Sequence, residues 1–174
     1  MGSKNVLFLD DAVEVREAVG DFLAEGGYQI KYVSDAEQAL QALKASPYLA
    51  MLLDIDLGPE SPSIGETLAT FQGLFPNVDF ESEAVLTDLG LNLENQVNGK
   101  VVLPMVKAVA PATQVIMLTG THHDIDQEQY MRKWCARATV QKLSEDIDFS
   151  EQENVVGLDE ELLGHLDDIC QEQR

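Results

Sequence analysis

Apolar residues in this chain alternate between short unbroken runs and spaced stripes. Val6–Leu9 is wholly apolar and runs into Asp10-Asp11, the pattern of a strand buried on both faces of a parallel sheet. Val15, Ala18, Val19, Phe22 and Leu23 then recur at helical spacing, and Gly26-Gly27 stops that helix. Tyr28–Val33 predicts a second strand. Ser34-Asp35-Ala36-Glu37 reads as a capping box opening a helix with Ala36, Ala39, Leu40 and Leu43 on one face. Leu49–Leu53 is a third strand, apolar throughout, ending in Asp54.

The rhythm then repeats. Ser63-Ile64-Gly65-Glu66 opens a helix with Leu68, Phe71 and Phe75 on one face, and Pro76 ends it. Ala84–Thr87 is a further strand, ending in Asp88. Gly99–Ala110 is helical in pattern, with Pro104 either kinking it or marking its first turn. Val115–Leu118 is a buried strand ending in Thr119. A helix over 125–136 and a short strand Ala138–Gln141 lead to Lys142. Residues 143–157 read as an acidic loop, after which Asp159 caps a last helix carrying Leu162, Leu166 and Ile169.

Strands alternating with helices imply right-handed crossovers and a doubly wound parallel α/β sheet. The 174 residues suit one domain, 1–174. Charge narrows the partners. With 31 acidic and 11 basic residues the chain carries −20, which repels nucleic-acid backbones and anionic membranes. No apolar run approaches the length of a membrane span and no signal peptide is visible, so a cytoplasmic protein is expected. Cys135 and Cys170 match no metal or redox spacing. His122-His123 is expected to be a solvated turn, because adjacent loop side chains diverge.

In open α/β sheets the site forms at the C-terminal strand ends. Here those ends carry Asp10-Asp11, Asp54 or Asp88, Thr119 and Lys142. Clustered carboxylates repel one another unless a cation joins them, and hard oxygen ligands suit Mg²⁺. One carboxylate could then act as a nucleophile toward phosphorus, while a lysine and a hydroxyl hold the transferred group.

These stretches carry a family resemblance. VLFLDDAVEVREAVGDFLAEGGYQI, AMLLDIDLG or AVLTDLGLN, and VNGKVVLPMVKAVAPATQVIMLTG together resemble the receiver domain of two-component response regulators, over residues 4–58 and about 84–142. The resemblance implies a flavodoxin-like fold with core strand order 2-1-3-4-5 and an added helix–strand unit near 58–97. It also implies a phosphoryl group taken from a histidine kinase or phosphotransfer protein, and a signal passed to a downstream protein partner by contact. No catalytic turnover is implied, and a homodimer is compatible with the pattern. Carried over by position, Asp10, Asp11 and the acceptor would hold Mg²⁺, with the main-chain carbonyl of Asp56 (Gly90 in the other register) as a further ligand. Thr119 would be the switch hydroxyl, and Lys142 would pair with the phosphoryl group.

Counted from the acidic pair, Asp54 is the acceptor; counted back from Thr119 and Lys142, it is Asp88. The acceptor strand must neighbour both the Asp10 strand and the Thr119 strand, so the spare strand has to lie elsewhere. The uniformly apolar Leu49–Leu53 favours Asp54. Two features depart from the family. Leu143 follows Lys142 where a proline is usual, and Thr139 stands where an aromatic is expected. They keep open a degenerate receiver that acts only by binding. Asp54-Ile55-Asp56 also suggests a haloacid-dehalogenase-type phosphatase, though Leu57 and the third-strand position fit that family poorly.

Overall fold

The computed structural model describes residues 4–55, 57, 98–119, 134–141 and 152–172, and single positions at 69, 72, 73 and 76. The elements run β1 (Asn5–Leu9), α1 (Val13–Glu25), β2 (Gln29–Val33), α2 (Ala36–Ala45), β3 (Ala50–Asp54), α3 (Asn98–Val109), β4 (Gln114–Thr119), β5 (Ala138–Gln141) and α4 (Gln152–Glu172). The strands form one parallel sheet in the order β2-β1-β3-β4-β5. This is the doubly wound architecture that the apolar pattern predicts, in the strand order that the family resemblance implies.

Alternation along each strand divides the core in two. Leu7 and Leu9, Met51 and Leu53, and Val115 and Met117 face α2 and α3, where Leu40, Leu43, Val102, Leu103 and Val106 close over them. Val6 and Phe8, Ala50 and Leu52, and Ile116 and Leu118 face the other way, toward Val19 and Leu23 of α1 and Leu162, Leu166 and Ile169 of α4. Strands buried on both faces need apolar residues at every position, which is why β1, β3 and β4 read as unbroken runs.

Several boundaries differ from expectation. The cap of α2 is Asp35, one residue after Ser34: its carboxylate accepts from the Gln38 N–H at 2.8 Å, and the Gln38 side-chain amide returns to Asp35. The cap is therefore Asp35 alone: Gln38 reaches back as a donor to the cap carboxylate, not, as in a capping box, as an acceptor for the cap's own N–H. Pro104 lies inside α3 and is buried. α4 begins at Gln152, so residues 152–157 are helical rather than part of an acidic loop. Those residues contain no proline, and one interior glycine, Gly157, costs a helix only about 1 kcal/mol. Trp134 and Cys135 form a turn, not the end of a helix reaching 136. Ala69, Gln72 and Gly73 are helical and Pro76 lies in a turn, in keeping with the helix expected there. The strand expected at 84–87 and most of the unit at 58–97 lie outside the described residues. No described helix is long and apolar enough to cross a membrane.

Candidate functional site

The β1 ladder carries one residue past the strand, where the Asp10 N–H donates to the Val33 carbonyl at 3.3 Å. The Asp10 carboxylate then turns back and accepts the Ala12 N–H at 2.9 Å. That short turn ends β1 and starts α1. The residue at the helix cap is Ala12, with no side-chain cap bond, so neither aspartate serves as the cap of α1.

Next to β1, β3 brings up Asp54. Asp54 pairs with Leu118 in the ladder, and the Ile55 N–H extends the pairing to the Leu118 carbonyl at 2.9 Å. Thr119 is the next residue of β4 and its last. Asp10, Asp54 and Thr119 are all buried, at 0%, 1% and 0% exposure, while Asp11 is half-buried. Asp10, Asp11 and Asp54 each offer a carboxylate oxygen, and the three oxygens lie within 4.8 Å of one another.

This is the crevice at the carboxyl ends of the strands, where the chain winds to β2 on one side of β1 and to β3 on the other. Three carboxylates at this spacing cost energy unless a cation or proton comes between them. Their hard oxygens, two on buried side chains and one at the rim, fit a small divalent cation. Among the described residues it is the one group of three or more acidic, histidine or cysteine side chains that could do so.

The strand pairing bears directly on the two registers. β3 lies between β1 and β4, so Asp54 shares the site with Asp10 and Asp11. Asp88, Asp56 and Lys142 lie outside the described residues, as does His122-His123. Gln141, the residue before Lys142, pairs with Thr119. Lys107 is engaged at the opposite end of β4 from Thr119: its ammonium donates to the Thr113 carbonyl at 3.0 Å, just ahead of the strand, and burial lowers its pKa.

Sequence reasoning missed the main-chain groups that hold the Asp10 turn, namely the Val33 carbonyl and the Ala12 N–H. No side-chain pattern announces them. It also missed the Tyr28 hydroxyl, which donates to Asp167 of α4 at 2.6 Å across 139 residues of sequence.

No protein-family model and no curated protein sequence matches the chain. Solved structures do. A CheY-like response regulator receiver domain protein from Methanospirillum hungatei is 16% identical with a TM-score of 0.61, covering 98% of this chain and 99% of its own. The receiver domain of NtrX from Brucella abortus is 19% identical with a TM-score of 0.55, covering 91% of this chain and 98% of its own. A response regulator from Burkholderia pseudomallei, solved with a phosphorylated aspartic acid, calcium ion and citrate, is 16% identical with a TM-score of 0.53, covering 92% of this chain and 73% of its own. At such identities the likeness concerns the backbone, and it agrees with the strand order found here: the chain has the fold of the response-regulator receiver domain.

Proposed function

We propose that the chain is a phosphoacceptor receiver, with Asp54 as the acceptor. The observation that carries the reading is the convergence of Asp10, Asp11 and Asp54 at the carboxyl end of a sheet ordered β2-β1-β3-β4-β5. A bound Mg²⁺ would neutralise charge on the transferring phosphoryl group. Asp10 and Asp11 would hold it together with Asp54, and the Asp56 carbonyl would complete the protein's ligands.

In the reaction an Asp54 oxygen forms a bond to phosphorus as the phosphorus–nitrogen bond of a donor phosphohistidine breaks. The departing imidazole nitrogen takes up a proton. Burial of Asp54 keeps bulk water from the acyl phosphate, Thr119 donates a hydrogen bond to a phosphoryl oxygen, and Lys142 balances its charge. The chain turns over no substrate of its own. It acts in the cytoplasm, receives from a histidine kinase or phosphotransfer protein, and signals by contact with a downstream protein. The Burkholderia pseudomallei neighbour, with a phosphorylated aspartic acid and a calcium ion, supports the chemistry by analogy of fold.

The test is exposure to acetyl phosphate with Mg²⁺, read by intact mass. One added phosphoryl group, lost in Asp54→Ala and kept in Asp88→Ala, is expected. Loss only in Asp88→Ala would transfer the acceptor role to Asp88. The second reading, a binding module that takes no phosphate, is favoured by Thr139, which occupies the aromatic's place on β5. Absence of any gain in the folded wild type would select it.

A further inference from the structure

Tyr32 is one of two large apolar side chains strongly exposed among the described residues, at 40%. Its ring is nevertheless seated. Its centroid lies 6.0 Å from that of the Phe8 ring, and the hydroxyl end rests on α1 at Gly20. A methyl group built on Gly20 would stand 1.5 Å from the Tyr32 hydroxyl oxygen, so the seat exists only because residue 20 is glycine. Arg16 and Asp21, on the same helix, lie close enough to influence the phenol, and the Arg16 Nε is buried with no hydrogen-bond partner.

The same two elements, β2 and α1, also meet at Asp10. Its N–H is bonded to Val33, the neighbour of Tyr32 in β2, and its carboxylate is bonded to the N–H of Ala12, the residue that starts α1. A closed circuit results: from Asp10 through Val33 to Tyr32, across to Gly20, and back along roughly 12 Å of helix to Ala12. The circuit has little slack at Tyr32, because ring and helix backbone are already in contact. The carboxylate that would meet a cation is the one whose Oδ1 accepts from Ala12, so a cation drawing on its charge would weaken and shift that bond, and with it the placing of α1 against β2. Packed contacts respond to such sub-ångström shifts by changing arrangement rather than by deforming smoothly.

We infer that the seating of Tyr32 on Gly20 and the filling of the Asp10–Asp11–Asp54 site by a divalent cation control each other. The surface by which the chain would announce the state of its site then includes the β2–α1 corner. This inference rests on the proposed function only in taking the three aspartates as a cation site. Thermodynamic linkage makes the coupling reciprocal, so it can be read from either end.

The experiment is an NMR titration with Mg²⁺ of protein carrying ring-labelled tyrosine and amide label. The four tyrosines are assigned with Tyr32→Phe. The Tyr32 ring signals should shift with the same midpoint as the Asp10 and Asp11 amides. Gly20→Ala, which unseats the ring, and Tyr32→Ala, which removes it, should each change Mg²⁺ affinity about fivefold or more. Adding Gly20→Ala to Tyr32→Ala should change little further, because the methyl then has room. If Gly20→Ala fails to fold, Tyr32→Ala decides alone. Site amides that titrate while the Tyr32 ring stays still, with wild-type affinity in the variants, would overturn the coupling and leave the cation site standing. Amides of Asp10 and Asp11 that ignore Mg²⁺ would overturn both.

Discussion

β3 and β2 flank β1 on opposite sides and pair with it in parallel, in nearly the same register. Every residue of β3 is buried, whereas of β2 only Val33 is. β3 is held along its whole length by apolar contacts on both faces. β2 has few such contacts; beyond its ladder with β1 and the seat of Tyr32, it is fastened at its ends. Tyr28, just before it, is hooked to α4 through Asp167, and Lys4 lies 4.4 Å above the Tyr28 ring. Asp35, just after it, caps α2. A strand gripped along its length can carry a costly group such as a buried carboxylate at its tip. A strand gripped at its ends can present side chains to solvent and still keep its register.

The contrast breaks most visibly at Asp54. Asp54→Ala should abolish phosphoryl uptake, and it should also stabilise the cation-free protein by about 1 kcal/mol, since it removes one of three clustered carboxylates. A melting curve without Mg²⁺ that falls instead of rising would show Asp54 to be structural. Next in size, Leu52→Ala should cost about 2–5 kcal/mol in chemical denaturation. Ile30→Ala, on the half-buried edge, should cost clearly less, and equal losses would erase the distinction between the strands. Tyr28→Phe should cost about 1 kcal/mol by removing the bond to Asp167.

The Tyr28 variant also has a pH signature. Burial first, and the Asp167 carboxylate second, raise the Tyr28 pKa. Its contribution is therefore fully present below the ordinary tyrosine range, about pH 10, and is lost above it, where the unfolded chain sheds a proton that the folded chain retains. The alkaline fall in stability should be shallower in Tyr28→Phe than in wild type. Asp35→Ala should cost about 1 kcal/mol, the usual worth of a helix cap, read as earlier melting of α2.

The same contrast explains what could be read from the letters. β1, β3 and β4 are legible because double-sided burial writes itself as unbroken apolar runs. β2, Gln-Ile-Lys-Tyr-Val, was legible mainly from its place between Gly26-Gly27 and the Ser34-Asp35 signal. The start of α4 was not legible, because an acidic stretch satisfies a helix and a solvated loop equally well. Asp54 and Asp88 each follow an apolar run, and locally only the longer, uniformly apolar Leu49–Leu53 favours Asp54. What brings Asp54 to Asp10 and Asp11 is non-local pairing of β3 with both β1 and β4. The Tyr28–Asp167 bond and the Tyr32 seat on Gly20 are likewise tertiary, and no spacing rule reaches them.

The placing of α4 bears on the order in which the protein comes together. α4 follows in sequence every element it covers, and its Leu162, Leu166 and Ile169 share with Val19 and Leu23 of α1 the closing of one face of the sheet. During synthesis the face toward α2 and α3 can be sealed as soon as β4 has emerged. The opposite face, with Phe8, Leu52, Ile116 and Leu118, has, among the described helices, only α1 over it until the helix at 152–172 arrives. A nascent chain at that stage displays a greasy half-covered sheet, the kind of surface that chaperones bind and that promotes sticking between unfinished chains.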